Sequence, residues 1–471
     1  MTRRKLAGFV LAAIAFAAGA VFLLASARPP GSDAAAASIA PRPSPPTPLW
    51  SARRVPTLLV RRIQSEAQAR ATFALTKRLN DVVAPAGNSC VAVDGPAGSL
   101  ARIGTDRAFT PASTLKLLTT MTAINRLGAD HRFVTRVSVD AAGNLVVVGG
   151  GDPLLATRQH IDYQHSLTRF RAAPYSKLDD LADAIVAAGV RNVRGALLVD
   201  DHAHDALRFL PTWKPIYTQE GDVGSLGALA IDGGFDQPND RVAAADPALT
   251  AGRRLADLLA ARGVTIAGGV QRGTAAVGNH REVAHLDSLP LRQIVGEILT
   301  SSDDFAAEVL LRDLAMGSGG DPPATTEMGA RIVVDEMARL GVITDGLVLH
   351  DGSGLSPDDR VRCGTLLQVI EMAARRKFAA VDHGLAVAGR TGTLADRFGG
   401  GPLDGKLRAK TGTLDGVVGL AGVIDGTDLR FSFLANGRFS PGRGMQLQSE
   451  VASTVASAPD LRPPPNLVPA P

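Results

Sequence analysis

"TPASTLKLLTTMTAINRLG" (Thr110–Gly128) carries apolar residues at Leu115, Leu118, Met121, Ile124 and Leu127, the three- and four-residue recurrence of one helix face, and ends on a glycine suited to a helix C-terminus. Near its start Ser113 and Lys116 stand three positions apart, so a helix brings the lysine amine to the serine hydroxyl. A serine hydroxyl is a poor nucleophile until a neighbouring base takes its proton, and this pair holds both groups. Taken alone, the pair is a weak signal, because both residues are common on exposed helix turns and the solvated first turn of a surface helix is the commoner reading. Other segments have to decide between the two.

The chain has 471 residues, 45% hydrophobic and 20% charged, the balance of a folded protein with length for one large core or two to three ordinary ones. It opens "MTRRKLAGFVLAAIAFAAGAVFLLASARPP", with Arg3, Arg4 and Lys5 ahead of an uncharged apolar run from Leu6 to Ala27. That run is long enough to span a bilayer, so residues 1–27 read as an uncleaved signal anchor or as a signal peptide cut near Ala25-Ser26-Ala27. The basic flank keeps the N-terminus in the cytoplasm and puts the rest outside, either on the outer face of the cytoplasmic membrane or released to the periplasm or cell wall. Aromatic residues are 4%, the net charge is +4 and no basic run is interleaved with aromatics, so no nucleic-acid partner is expected. Cys90 and Cys363 either pair in that oxidising setting or remain two buried thiols. Pairing is favoured, because neither has metal-ligating or catalytic residue types close by in sequence.

Residues 28–56 are rich in Pro, Ala and Ser without apolar periodicity and read as a linker, and the Pro-rich tail 458–471 reads as disordered. "NSCVAVDGPAGSL" reads as strand and turn, and "RFVTRVSVDAAGNLVVVGG" as strands around an Ala-Gly-Asn turn. Helices are expected at "KLDDLADAIVAAG", "LTAGRRLADLLAARG" and "GMQLQSEVASTVAS", and "LRQIVGEILTSSDDFAAEVLLRDLAMGSG" reads as helix-rich.

Two further segments bear on the Ser113 pair. "AKTGTLDG" contains Lys410-Thr411-Gly412-Thr413, and "TSSDDFAAE" contains Ser302-Asp303-Asp304. Their order, Ser-x-x-Lys, then Ser-Asp-x, then Lys-Thr-Gly, resembles the motif set of penicillin-binding proteins and class A β-lactamases. Ser113 and Ser302 are 189 positions apart, which leaves room for a whole inserted domain and is too long for the compact helical lobe of a class A β-lactamase. With "GGGDPLL" (149–155), "HDGSGLSPDDRV" (350–361) and "AGRTGTLADRF" (388–398), the chain resembles the D-alanyl-D-alanine carboxypeptidase/endopeptidase family of the penicillin-binding protein 4 type, peptidase family S13.

The resemblance implies an α+β fold: a peptidase domain of antiparallel sheet and flanking helices over 57–130 and 291–457, with a mixed α/β domain inserted over 131–290. It implies peptidoglycan stem peptides as substrate, β-lactams as covalent inhibitors, and an acyl-enzyme at Ser113. Lys116 is then the base, its neutral form favoured by burial and by a second cation, Lys410. The backbone N–H groups of Ser113 and Thr413 form an oxyanion hole. Ser302 relays a proton to the leaving amine, and Asp304, Lys410, Thr411, Gly412 and Thr413 bind the substrate, its terminal carboxylate falling to Lys410 and Thr411. The competing readings are Lys410 as an edge-strand charge and Ser302 as a helix N-cap.

One position departs from the family. Its second motif ends in Asn, where this chain has Asp304. An Asn side chain donates and accepts hydrogen bonds, whereas an ionised Asp only accepts, so the substrate amide loses a donor. Impaired turnover, leaving a peptidoglycan- or penicillin-binding protein, is therefore the alternative function. No metal and no cofactor is expected: "GGGDPLL" lacks the Lys-Ser/Thr ending of a phosphate loop, His202 and His204 read as surface residues, and His383 has no nucleophile partner in sequence.

Overall fold

The structure, a computed structural model, describes residues 56–458 apart from 97, 240, 275–279 and 318–322. The export segment, residues 28–55 of the linker and residues 459–471 of the tail lie outside the described residues. Pro56, assigned to the linker by composition, instead opens α1 (Pro56–Val83). Among the described residues no helix is long and apolar enough to cross a membrane.

Two large sheets, beside two short two-stranded pairings, are laid down in chain order among the described residues. The hairpin β1 (Asn88–Gly95) and β2 (Gly98–Ile103) comes first. The five strands of a second sheet follow: β3 (Val134–Val139), β4 (Leu145–Val148), β5 (Leu197–Asp200), β6 (Val270–Arg272) and β7 (Arg281–Asp287). The chain then returns to the first sheet with β8 (Ala386–Val387), β9 (Leu407–Leu414), β10 (Val417–Ile424) and β11 (Leu429–Asn436). The first sheet runs β8-β9-β10-β11-β1-β2 and is antiparallel throughout. The second runs β6-β5-β4-β3-β7 and is mixed, parallel on the β6-β5-β4 side.

Near-continuous apolar strands such as β1 are buried on both faces, and their alternation shows what covers each face. Val91 and Val93 join a core with Leu75 and Leu79 of α1 and Leu447 and Val451 of α9 (Pro441–Ala456). Cys90 and Ala92 face the other core, built from α2 (Lys116–Leu127), α5 (Leu291–Ser301), α6 (Asp304–Asp313), α7 (Thr326–Arg339) and α8 (Cys363–Ala373). The Cys90 and Cys363 sulfurs are bonded, joining β1 to the first residue of α8 with Cα atoms 6.0 Å apart. The second sheet packs its own core under α3 (Leu178–Ala187) and α4 (Pro247–Ala261).

Two local expectations differ: where the first helix starts and which residue caps α6. The helix read over Thr110–Gly128 begins only at Lys116; residues Ala112–Leu115 form a 3₁₀ turn, and Ser113 sits in it. Its polar face is not solvated either, since Thr119, Thr120 and Thr122 are fully buried beside the apolar stripe. The stretch from Leu291 is two helices, broken where Ser302 adopts a left-handed φ of 63°. Asp303, rather than Ser302, is the N-cap of α6, accepting Ala306 N–H at 2.8 Å.

Candidate active site

Ser113 and Asp304 face each other across one amine. Lys116 is wholly buried, and its Nζ lies 2.9 Å from Ser113 Oγ, 2.5 Å from Asp304 Oδ1 and 2.7 Å from the carbonyl oxygen of Ser353. Of these three partners only the serine hydroxyl can give up a proton; a carboxylate and a carbonyl oxygen only accept. A neutral amine has two N–H bonds and one lone pair. With its N–H groups committed to Asp304 and Ser353, its lone pair is left directed at Ser113, the arrangement a nucleophile needs from its base.

The backbone around this point is forced into place. Ala112 has φ 47° and Ser302 has φ 63°, both costly for residues with a Cβ, and they flank the nucleophile turn and the second motif. On β9, Gly412 lies against the Ser113 turn so closely that a Cβ there would stand 2.8 Å from Pro111 O and 3.1 Å from Thr114 N. Only glycine lets the Lys-Thr-Gly strand approach the nucleophile at this distance. Beyond the short pairing with β8, which ends at Ala409, one edge of β9 from Lys410 to Leu414 has no strand partner among the described residues. That free edge can accept an extended peptide.

Lys410 is also wholly buried, and its Nζ donates to Thr411 O at 2.8 Å. Burial holds its pKa well below the usual lysine value; Lys116 and then Arg169 push the same way, and Asp304 opposes them. A solvated edge-strand charge is thereby excluded. Thr411 Oγ1 donates to Thr393 Oγ1 at 3.0 Å, linking the strand to "AGRTGTLADRF". Ser302 is 6% exposed beside Asp303 and Asp304, but among the described residues its hydroxyl makes no hydrogen bond to Ser113, Lys116 or Lys410.

Several residues that the sequence did not single out hold these groups. Glu308 Oε1 accepts the N–H groups of Gly352 (2.9 Å) and Ser353 (2.7 Å), fixing the carbonyl that receives Lys116. Burial, and after it the Asp351 carboxylate, pushes the Glu308 carboxyl up. Asp351 accepts Gly354 N–H and Ser356 N–H, both at 2.7 Å, and the Trp213 indole N–H at 2.9 Å. Arg169 donates to the carbonyls of Ser301 and Ser302, bracing the left-handed break. Glu308 had a legible signal, since it lies four residues after Asp304 and so on the same helix face. Arg169 and Trp213 had none.

Beside the second motif a cavity of ≈ 140 Å³ is lined by Leu155, Arg169, Tyr175, Arg241, Asp303 and Phe305, so segments from 131–290 wall it together with α6. Of the two histidines read as surface residues, His202 is exposed but His204 is not. His204 is fully buried with Nε2 2.8 Å from Asp313 Oδ1, and burial, with Arg312 and Arg208, lowers its pKa to about 3. Among the described residues no group of three or more His, Cys, Asp or Glu is placed to hold a metal ion.

A model of the D-Ala-D-Ala carboxypeptidase 3 (S13) family matches residues 96–240 and 227–457. Over 351 residues the chain is 32% identical to carboxypeptidase DacB of Mycolicibacterium smegmatis, covering 71% of this chain and 72% of that one. It is 29% identical over 432 residues to a D-alanyl-D-alanine carboxypeptidase of Actinomadura sp., covering 74% and 76%. In fold it is similar to the crystal structure of penicillin-binding protein 4 from Haemophilus influenzae, with a TM-score of 0.66, 20% identity, and 80% of this chain and 98% of that one covered.

Proposed function

The chain belongs to the D-Ala-D-Ala carboxypeptidase 3 (S13) family, and from that premise we propose that it is a serine-type D-Ala-D-Ala carboxypeptidase or endopeptidase acting on peptidoglycan stem peptides through an acyl-enzyme at Ser113. The observation that carries this is the placement of Lys116 Nζ between Ser113 Oγ, Asp304 Oδ1 and Ser353 O. Ser113 gives its proton to Lys116 as Oγ attacks the carbonyl carbon of the penultimate D-alanine. The N–H groups of Ser113 and Thr413 receive the oxyanion, and losing one such donor typically costs about 3–4 kcal/mol of barrier. The carbon–nitrogen bond breaks, the amine leaves with a proton relayed by Ser302, and water then hydrolyses the ester to restore Ser113.

Lys410 and Thr411 bind the terminal carboxylate. Burial disfavours the Lys410 ammonium, and an arriving carboxylate provides the counter-charge that stabilises it. That coupling favours a free C-terminus over an amidated one. The alternative, a binding protein without turnover, is not favoured, since both relatives named above are carboxypeptidases.

The proposal extends to organisation. Residues 1–27 export the chain as a signal anchor or signal peptide, and residues 57–130 and 291–457 form the peptidase domain around an insertion at 131–290. The working part is extracytoplasmic, where its substrate and β-lactams are met. Intact-mass measurement after incubation with benzylpenicillin tests the core of this reading. Wild type is expected to gain one penicilloyl mass on the peptide containing Ser113 and Ser113→Ala to gain none; an adduct on Ser113→Ala would refute it.

A further inference from the structure

We propose that the Tyr217 hydroxyl donates the hydrogen bond to the substrate amide that Asp304 cannot supply. The inference rests on the reading of Ser113 as the acylated residue. A carboxylate at position 304 offers acceptors only, and its Oδ1 is already engaged by Lys116 at 2.5 Å. A substrate amide arriving beside Asp304 therefore needs a donor from another element.

Tyr217 stands where that element has to be. Its ring packs in an apolar cluster with Phe305, Val309 and Leu355, and Leu414 packs against the same cluster. Phe305 follows Asp304 in sequence, and Leu414 ends the strand whose edge is free from Lys410 onward. The ring thus lies between the second motif and the end of the Lys-Thr-Gly strand, the two walls between which a peptide laid along β9 must run. Trp213 holds this segment down through its 2.9 Å hydrogen bond to Asp351, and Lys214 approaches Asp415, just past β9, at 4.0 Å.

The hydroxyl itself has an unmet need. Tyr217 is 7% exposed, and among the described residues its buried hydroxyl oxygen has no hydrogen-bond partner. Buried polar groups are almost always paired, so a bare phenol beside a substrate cleft points to a partner that arrives with the ligand. Burial, followed by the carboxylates of Asp222, Asp415 and Asp304, pushes its pKa up to about 12, so at working pH it keeps the proton it would donate.

A double-mutant cycle on the second-order rate of acylation by benzylpenicillin tests the assignment. Tyr217→Phe deletes only the hydroxyl and leaves the ring in its cluster. In the wild-type background it is expected to slow acylation about tenfold, the size of one lost hydrogen bond. In the Asp304→Asn background, where the new amide donates, the same change is expected to cost less than about twofold. The melting temperature should hold or rise, because a buried unpaired hydroxyl has been removed. Equal acylation rates for wild type and Tyr217→Phe, or the same fold-loss in both backgrounds, would overturn the inference while leaving Ser113 acylation intact. A wild type that forms no adduct at all would overturn both.

Discussion

Replacing Asp304 by Asn keeps the shape of the side chain and removes its charge. In the structure the Asp304 carboxylate is 15% exposed and lies 2.5 Å from a lysine nitrogen with no exposure. The amine has to be neutral before it can accept the Ser113 proton, so the ion pair holds Lys116 in the form that cannot serve as base. Unscreened Coulomb attraction at this distance overstates the effect, because Lys116 keeps Ser353 O as a second acceptor at 2.7 Å and solvent reaches the carboxylate. The net worth of a hydrogen bond to a charged group, about 1.5–3 kcal/mol, is the better guide. If most of it goes into holding the unreactive ammonium, Asp304→Asn should accelerate acylation by about one to two orders of magnitude, at about 1.4 kcal/mol per tenfold. Stopped-flow acylation by a chromogenic or fluorescent β-lactam between pH 6 and 9 reads this directly. An unchanged or lower rate across that range would refute the argument and show that the carboxylate aids the reacting state.

Further outcomes follow from the buried groups. The Cys90–Cys363 bond spans 273 positions, so in the loop-entropy account its loss as a Cys90→Ala, Cys363→Ala pair should cost about 5–6 kcal/mol of stability; alkylation of both thiols in the denatured, unreduced exported protein would show there is no bridge. Glu297 is 6% exposed, and burial pushes its carboxyl up to about 7, with Ser301 and Arg169 opposing and Asp303 adding to the rise. Because the folded state holds this proton more tightly than the unfolded chain, whose value is near 4.5, the stabilising contribution is complete below about pH 4.5 and is lost as pH rises through about 7. Glu297→Gln should therefore lose less melting temperature than wild type between those limits, and parallel curves for the two proteins would contradict the assignment.

The reacting groups were legible because the chemistry constrains residue type and spacing together. A serine and its lysine had to be one turn apart, and a strand packed on the nucleophile had to carry glycine, so Ser113, Lys116 and Gly412 could be named from the sequence. The Asp304 departure was visible for the same reason. What could not be read was set by tertiary packing. The threonines of α2 have the periodicity of a wet face, yet Thr119 donates to Gly352 O and is buried by the loop it meets. The helix start at the Ser-Ser-Asp-Asp run was legible, but the left-handed turn at Ser302 that precedes it was not. His204 is surrounded in sequence by polar residues and becomes internal only because Asp313 of a distant helix closes over it. Arg169 and Trp213 act across more than a hundred positions, a separation that no local pattern encodes.

If the chain works as proposed, Ser113 attacks the bond before a terminal D-alanine. The direct measurement is release of free D-alanine from a synthetic stem peptide ending in D-alanyl-D-alanine, followed with D-amino-acid oxidase, beside the same peptide ending in L-alanyl-L-alanine and one with an amidated C-terminus. Wild type is expected to release D-alanine from the first peptide and to cleave the other two little, and Ser113→Ala is expected to cleave none. Release that survives Ser113→Ala, or equal cleavage of the amidated peptide, would contradict the proposal.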